Sequence, residues 1–97
     1  MKTKNEKEFK VFVGSNNDTK KLEINKIERI AQKHFIGFSL LKSLGVYNSE
    51  KEKSLIVCII GTATDKEKVF NMAKELKFEL KQYEILISEN PTKIFKI

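Results

Sequence analysis

The chain has 97 residues, of which 40% are hydrophobic and 33% charged, a composition typical of one folded domain and not of a disordered chain. Its 19 Lys and Arg residues outnumber 13 Asp and Glu residues, which gives a net charge of +6. The one cysteine excludes an internal disulfide, a cysteine-rich zinc site and an iron–sulfur cluster, and the longest apolar run is far shorter than the roughly 20 residues of a membrane span.

The type of basic residue is more informative than the net charge. Arg29 is the only arginine, and lysine lacks the planar fork with which arginine reads phosphate or guanine at two points. Specific nucleic-acid recognition is therefore less expected than the net charge suggests, although lysine-based binding of nucleic acid stays an alternative. The Lys-rich start of the chain has no apolar segment after it, so we expect no signal peptide, no membrane partner and a cytoplasmic location in a bacterial host cell.

The first third of the chain predicts a strand, a loop and a helix. Residues 1–8 are polar and are expected to form a flexible N-terminus ahead of a single domain over 9–97. Alternating apolar residues predict a first strand that ends at Gly14, and a polar loop over 15–21 follows. Apolar residues at helical spacing then predict a helix over 25–35.

Each predicted helix begins at a candidate capping box, in which two side chains satisfy free backbone amides. Asn25 and Glu28 fit the first box. Thr64 and Glu67 fit the second, although Asp65 is an alternative cap. The second helix carries an apolar stripe and is expected to end near Phe78.

The remaining segments read as strands. Apolar residues of even spacing predict a second strand over 38–47, and a turn-forming run leads to a third strand over 55–60. The last strand is predicted over 83–87, and the Asn90-Pro91 pair that follows is expected to break it. Residues 93–97 are then expected to form a short edge strand or a docked tail. The order β-α-β-β-α-β predicts an α+β, ferredoxin-like fold, an antiparallel four-stranded sheet with two helices on one face.

The strand over 55–60 is apolar at both parities, although in this fold one face of the sheet is left uncovered by helices. The C-terminal tail could cover that face through Ile94, Phe95 and Ile97. The other interpretation is self-association into a homodimer or higher homo-oligomer, since extended apolar patches mark interfaces. The residues expected to form that surface are Phe12, Ile56, Cys58, Ile60 and Leu86, which Leu41 could join.

Few residues suit catalysis. His34 is the only histidine and lies near the predicted end of the first helix, where the helix dipole favours it. Cys58 lies in mid-strand and is interpreted as a small buried hydrophobe. The carboxylates are scattered, and Glu50 and Glu52 read as the solvated face of a turn. We therefore expect no metal site, no cofactor and no enzymatic activity.

The polar loop after Gly14 is the best candidate for a binding site. A glycine that allows a sharp turn, followed by amides and lysines, can cradle an anion. The alternative is a plain polar connection between strand and helix. The predicted ligand-binding residues are Asn16, Asn17, Asp18, Thr19, Lys20 and Lys21 in the loop, with Ser39 and Tyr47 on the second strand.

Around these residues the sequence resembles a family of small phage and prophage proteins with the pattern FVGxN, DTKKxEI, G-[FY]-[ST] and G-[IV]-Y. The matching segments lie within residues 9–60: 12–14, Asn16, 18–21, 23–24, 37–39 and 45–47. The resemblance implies a phage or mobile-element protein that counters host defence. We expect a non-enzymatic module that sequesters a small anionic ligand such as a nucleotide signal. The alternatives are a protein–protein inhibitor of a host complex, similar to anti-CRISPR proteins, and a lysine-based nucleic-acid binder.

Overall fold

The structure is a computed structural model that describes the backbone of residues 2–97 and the side chains of residues 6–97. Its elements are β1 (Lys2–Gly14), α1 (Ile24–His34), β2 (Ser39–Tyr47), β3 (Glu50–Gly61), a 3₁₀ turn (Ala63–Asp65), α2 (Lys66–Glu79) and β4 (Leu86–Lys96).

The four strands form one antiparallel sheet in the order β2-β3-β1-β4. Sequential strands β2 and β3 form a hairpin, and each helix connects two strands that have a third between them. This is the ferredoxin-like fold, and the prediction of fold class is confirmed.

The core lies between the helices and one face of the sheet. Alternate residues of the two central strands are buried there, with Val11 and Val57 fully so. The helices contribute Ile27 from α1 and Met72 and Leu76 from α2. Burying a side chain of this size stabilises the fold by roughly 1.5–3 kcal/mol, so this face holds most of the folding energy. No helix in residues 2–97 is long and apolar enough to cross a membrane.

The two strands at the chain ends are longer than predicted. β1 begins at Lys2, within the segment expected to be flexible, and pairs there with Lys96 of β4. β4 continues through Asn90-Pro91, so the predicted break is wrong. β4 lies at the edge of the sheet, where a proline is tolerated because an outward-facing position needs no amide hydrogen.

The helix starts also differ from prediction. α1 begins at Ile24, which places Asn25 inside the helix, and Asn25 and Glu28 form no capping box. The second box lies two residues earlier than predicted: the amide of Thr62 donates to Asp65 Oδ2 at 2.8 Å. Asp65, the alternative cap, is therefore the acidic partner, and the box closes the 3₁₀ turn that leads into α2.

The face of the sheet opposite the helices carries a continuous apolar row. Leu41 lies opposite Ile56, Ile56 opposite Phe12, and Phe12 opposite Leu86, so the row crosses all four strands. Leu41 is 48% and Leu86 63% exposed. The C-terminal residues pair with β1 and lengthen the edge of the sheet, so the tail does not cover this row.

Candidate functional site

An open groove of about 500 Å³ lies where the β1–α1 loop meets the far end of the β2–β3 hairpin. Its charged lining is mixed, with Lys20, Lys51 and Lys53 beside Glu50 and Glu52. Tyr47 adds an aromatic ring that is 84% exposed. The remaining lining residues are Ser15, Asn16 and Asn17. A groove with both signs of charge and an exposed ring suits a ligand that itself carries both charges.

The end of β1 is tied to the groove by two side chains that converge on Gly14. Glu52 Oε1 accepts a hydrogen bond from the amide of Ser15 at 3.1 Å, and Gln82 Oε1 accepts one from the amide of Gly14 at 3.1 Å. Gln82 Nε2 also donates to the carbonyl of Ser15 at 2.7 Å. A Cβ at Gly14 would approach Glu52 Oε1 more closely than the 3.0 Å that real Cβ contacts respect. Glycine is therefore what allows the Glu52 carboxylate to lie against the strand end.

Asn16 holds the conformation of its own loop, because both polar atoms of its side chain are hydrogen-bonded within the protein. It is 6% exposed, and its Oδ1 accepts hydrogen bonds from the amides of Asp18 and Thr19 at 2.8 and 3.2 Å. Its Nδ2 donates to Glu23 Oε2 at 3.1 Å. A buried asparagine with both ends engaged fixes a turn, as Asn commonly does through its own backbone neighbours.

The other loop amides are used in the same way. The amide of Lys20 donates to the carbonyl of Asn16 at 2.7 Å, and that of Lys21 to Thr19 Oγ1 at 3.3 Å. An anion cradle needs free amides that point at the ligand. Most backbone amides of this loop are therefore engaged within the protein, so a ligand here would be held mainly by side chains, and Lys20 closes the loop in the left-handed conformation at φ 63°.

The predicted site residues are only partly brought together. Asn16, Asn17, Lys20 and Tyr47 line the groove. Asp18, Thr19 and Lys21 belong to the same loop but are exposed outside that lining. Asn17 Nδ2 donates to the carbonyl of Lys81, which links the loop to the end of α2.

Ser39 does not belong to this site. It is at the start of β2, opposite Cys58, whereas Tyr47 is at the far end of the strand, opposite Glu50. Eight residues of extended strand separate them by roughly 26 Å, at about 3.3 Å per residue. Ser39 instead lines a second cavity of about 450 Å³ with Leu41 and Ile60, on the open face of the sheet.

Sequence reasoning missed Glu50, Glu52 and Gln82. The two glutamates follow a turn, where charged residues are normally solvated, and Gln82 is 68 residues from its partner Gly14. The one local signal was Gly14 itself, because a glycine at a strand end often marks a close approach by another group.

The residues assigned to self-association share the open face of the sheet, as predicted. Ile60 is 46% exposed, and Phe12 and Ile56 are half-buried. Cys58 is half-buried, whereas we expected it to be fully buried. Burial, with a smaller contribution from the nearby Glu8 carboxylate, raises the pKa of the Cys58 thiol, which keeps it protonated and weakly nucleophilic.

His34 lies at the end of α1 and has a structural partner. Its Nε2 is 2.8 Å from Glu75 Oε1, and Lys33 Nζ donates to Glu75 Oε2 at 2.6 Å. The hydrogen bonds from Lys33 and then His34 hold the pKa of Glu75 below its usual value. This cluster joins α1 to α2 and none of its residues lines the groove, in keeping with the structural role predicted for His34.

The sequence matches no family model and no curated protein. Among solved structures, the fold is similar to that of a phage SAM lyase in its apo state, with a TM-score of 0.73 and 20% identity over 95% of this chain and 90% of that chain. It is also similar to CPII, a nitrogen regulatory PII-like protein from Thiomonas intermedia K12 bound to ADP, AMP and bicarbonate (TM-score 0.61, 7% identity, 99% of both chains). A DUF3240 family protein from Shewanella baltica OS155 gives a TM-score of 0.62 at 14% identity over 89% of both chains.

The similarity to the lyase corrects one prediction. We expected no enzymatic activity because the chain lacks a nucleophile–base pair and a metal-ligand cluster. A protein that shares the fold over 95% of this chain is an enzyme, so that expectation is wrong.

Proposed function

We propose that the protein binds S-adenosylmethionine in the groove beside Tyr47 and Glu52 and breaks a carbon–sulfur bond of its sulfonium without adding water. The mixed charge of the groove is the observation that supports this reaction most directly. The similarity of fold to the phage SAM lyase supports it independently.

The lining residues match the charges of that substrate. The sulfonium is a cation that an aromatic face attracts, and the Tyr47 ring is the exposed aromatic of the groove. The carboxylates of Glu50 and Glu52 add negative charge on the same side of the hairpin, while Lys20 and Lys53 can pair with the substrate carboxylate. A polyanionic nucleotide would meet the two glutamates unfavourably, which is why we favour a zwitterionic cation.

The simplest water-free reaction uses the substrate's own carboxylate. Its oxygen attacks the γ-carbon of the methionine moiety, a carbon–oxygen bond forms, and the electrons of the carbon–sulfur bond return to sulfur. The products are neutral methylthioadenosine and the lactone of homoserine. The net positive charge of the substrate therefore remains, as the ammonium group of the lactone. The protein then supplies orientation and electrostatic stabilisation, which together can provide a large share of a rate enhancement.

The experiment incubates the purified protein with S-adenosylmethionine and follows the products by liquid chromatography and mass spectrometry. We expect methylthioadenosine to appear together with homoserine lactone; vinylglycine in place of the lactone would instead indicate elimination with a glutamate as base. Tyr47→Ala should reduce turnover strongly. Tyr83→Ala is the matched control, because Tyr83 is 86% exposed and lies outside the groove. No consumption of substrate by the native protein would refute the proposal.

A second candidate is a nucleotide ligand such as ADP or AMP, favoured by the PII-like neighbours bound to these molecules. Thermal-shift measurements with ADP, AMP and S-adenosylmethionine separate the candidates, since a ligand at 100 times its Kd adds about 2.7 kcal/mol of stability. Stabilisation by ADP or AMP alone would favour sequestration of a nucleotide signal over sulfonium cleavage.

We also infer that the protein belongs to a phage or mobile element and counters a host defence by removing or sequestering such a small molecule. The sequence resemblance over 9–60 and the phage origin of the lyase neighbour support this origin. Direct inhibition of a host protein is the competing route. Protection of phage from a defended host should require Tyr47 in the first case and tolerate Tyr47→Ala in the second.

Self-association is the remaining proposal, and the apolar row of Leu41, Ile56, Phe12 and Leu86 supports it. The row crosses the whole sheet, and no element within residues 2–97 lies over it, so it is a surface that a second copy would bury. Light scattering on the purified protein measures the mass directly and tests the proposal.

A further inference from the structure

The outer surface of α2 carries lysines interleaved with exposed phenylalanines, none of which lines the groove proposed to bind the sulfonium, although the carbonyl of Lys81 accepts a hydrogen bond from Asn17 of that groove. We propose that this surface binds single-stranded nucleic acid. The surface consists of Phe70, Lys74, Lys77, Phe78 and Lys81, and we call it the α2 track.

The helical spacing places these residues on one side of α2. Residues 70, 74, 77 and 78 fall within an arc of about 100° at 100° per residue, beside the stripe that packs on the sheet. Phe70 is 43% and Phe78 72% exposed. Large rings presented to solvent in alternation with lysines are not needed for the core, which the neighbouring buried stripe already fills.

Two cavities follow the α2 track and share Lys74 and Lys77. The first, of about 280 Å³, lies between α2 and β4 and has Ile85 and Ile87 with Phe70 as an apolar floor. The second, of about 490 Å³, lies at the end of the helix beside Phe78 and Lys81. An apolar floor bordered by ammonium groups matches a chain whose bases are flat and apolar and whose backbone is anionic.

The charge of the α2 track is not neutralised by neighbours. Lys74, Lys77 and Lys81 form no ion pair with the side chains of residues 6–97, whereas Glu75 is engaged by Lys33 and His34, and Glu79 by Lys26. Glu84 is the one carboxylate in the lining of the two cavities. The three lysines are therefore available to phosphate groups.

The end of the helix holds Lys81 in place for such a contact. The amide of Gln82 donates to the carbonyl of Lys77 at 2.9 Å and that of Lys81 to the carbonyl of Phe78 at 3.4 Å. This is a Schellman ending, whose left-handed position is usually a glycine. Here Lys81 occupies it at φ 53°, and its ammonium lies 5.3 Å from the centre of the Phe78 ring. The arrangement keeps a cation and an aromatic face side by side at the surface.

Exposed rings distinguish a single strand from the other polyanions. Bases stack on an aromatic side chain only when they are unpaired, so a duplex would use the lysines alone. A membrane-surface helix needs a broad apolar face, and that of α2 is buried against the sheet.

The test measures fluorescence anisotropy of a labelled 16-nucleotide oligothymidine at several salt concentrations. We expect binding with a slope of log K against log salt of about −2, from roughly −0.7 for each of three phosphates neutralised. The triple variant Lys74→Gln, Lys77→Gln, Lys81→Gln should lose most of that slope and bind at least about 10-fold more weakly. Phe78→Ala should bind about 5-fold or more weakly with the slope unchanged, because one stacked base is lost.

Two controls keep the result specific. Lys42→Gln, Lys93→Gln, Lys96→Gln removes the same charge from exposed positions on β2 and β4 and should change affinity less than about 3-fold. Phe95→Ala removes a ring that is 56% exposed on β4 and should have no effect. The proposal would be overturned if both triple variants lost affinity for the oligothymidine equally, or if the native protein bound a duplex of the same length with equal affinity. It would also be overturned if the protein bound only to anionic phosphatidylserine vesicles. Circular dichroism of each variant confirms that it is folded.

Discussion

Gly14→Ala probes the contact between the end of β1 and the hairpin. The added Cβ would collide with Glu52 Oε1 and lie 3.1 Å from Gln82 Oε1. Both atoms are at the ends of flexible side chains, so the strand can stay in place while the side chains move. The expected result is loss of the hydrogen bond from Ser15 to Glu52 and weakening of the bond from Gly14 to Gln82.

The magnitude follows from three contributions. Losing the bond to the Glu52 carboxylate costs about 1–1.5 kcal/mol, and weakening the bond to Gln82 costs up to about 1 kcal/mol. Gly14 has no positive φ, so alanine fits its backbone and returns about 0.4–1 kcal/mol by restricting the unfolded chain. The net loss in free energy of unfolding is about 1 kcal/mol, or a fall of roughly 4–8 °C in Tm for a domain of this size.

The sign of the effect should depend on Glu52. In a Glu52→Ala background the collision is gone and the restriction of the unfolded chain remains, so adding Gly14→Ala should be neutral or stabilise by about 0.5 kcal/mol. Urea denaturation of the four proteins in this cycle gives the coupling directly. An equal effect of Gly14→Ala in both backgrounds would show that Glu52 does not lie against Gly14.

Three further predictions concern other parts of the molecule. Lys81→Gly should raise the free energy of unfolding by about 1 kcal/mol in thermal or urea denaturation, because glycine adopts the left-handed helix end without strain. A loss of stability would mean that the contacts of the Lys81 side chain stabilise the fold by more than its left-handed backbone destabilises it. The pKa of Glu75 is lowered in the folded state by hydrogen bonds from Lys33 and His34, so its stabilisation is present above its ordinary value of 4.5 and is lost as pH falls through the lower folded value. Denaturation between about pH 6 and about pH 3 should therefore show a smaller acid-induced loss in Glu75→Gln than in the native protein. Light scattering should give the mass of a dimer or larger species, and Ile56→Lys should reduce that mass to a monomer. Leu44→Lys, at a 61% exposed position away from the apolar row, should leave the native mass unchanged. A monomeric native protein would refute self-association through this row.

The periodicity of the chain determined the fold, because alternation and helical spacing depend only on which residues must avoid water. Alternate positions of β1 and the stripe on α2 were identified as core, and they are. The run over 55–60, apolar at both parities, likewise indicated a sheet with an apolar outer face, which the row through Ile56 confirms. These properties are local in sequence, so they can be read without knowing the neighbours in space.

The groove could not be read in this way, since its parts come together only in the folded chain. Gln82 reaches Gly14 across 68 residues, and Glu52 reaches Ser15 across 37. Whether Asn16 binds a ligand or holds its own loop depended on hydrogen bonds that its spacing does not reveal. The end of β4 illustrates the same limit. A proline breaks a strand that has neighbours on both sides, but Pro91 lies in a strand at the edge of the sheet, where its missing amide hydrogen costs nothing. The order of the strands is a property of the tertiary structure alone.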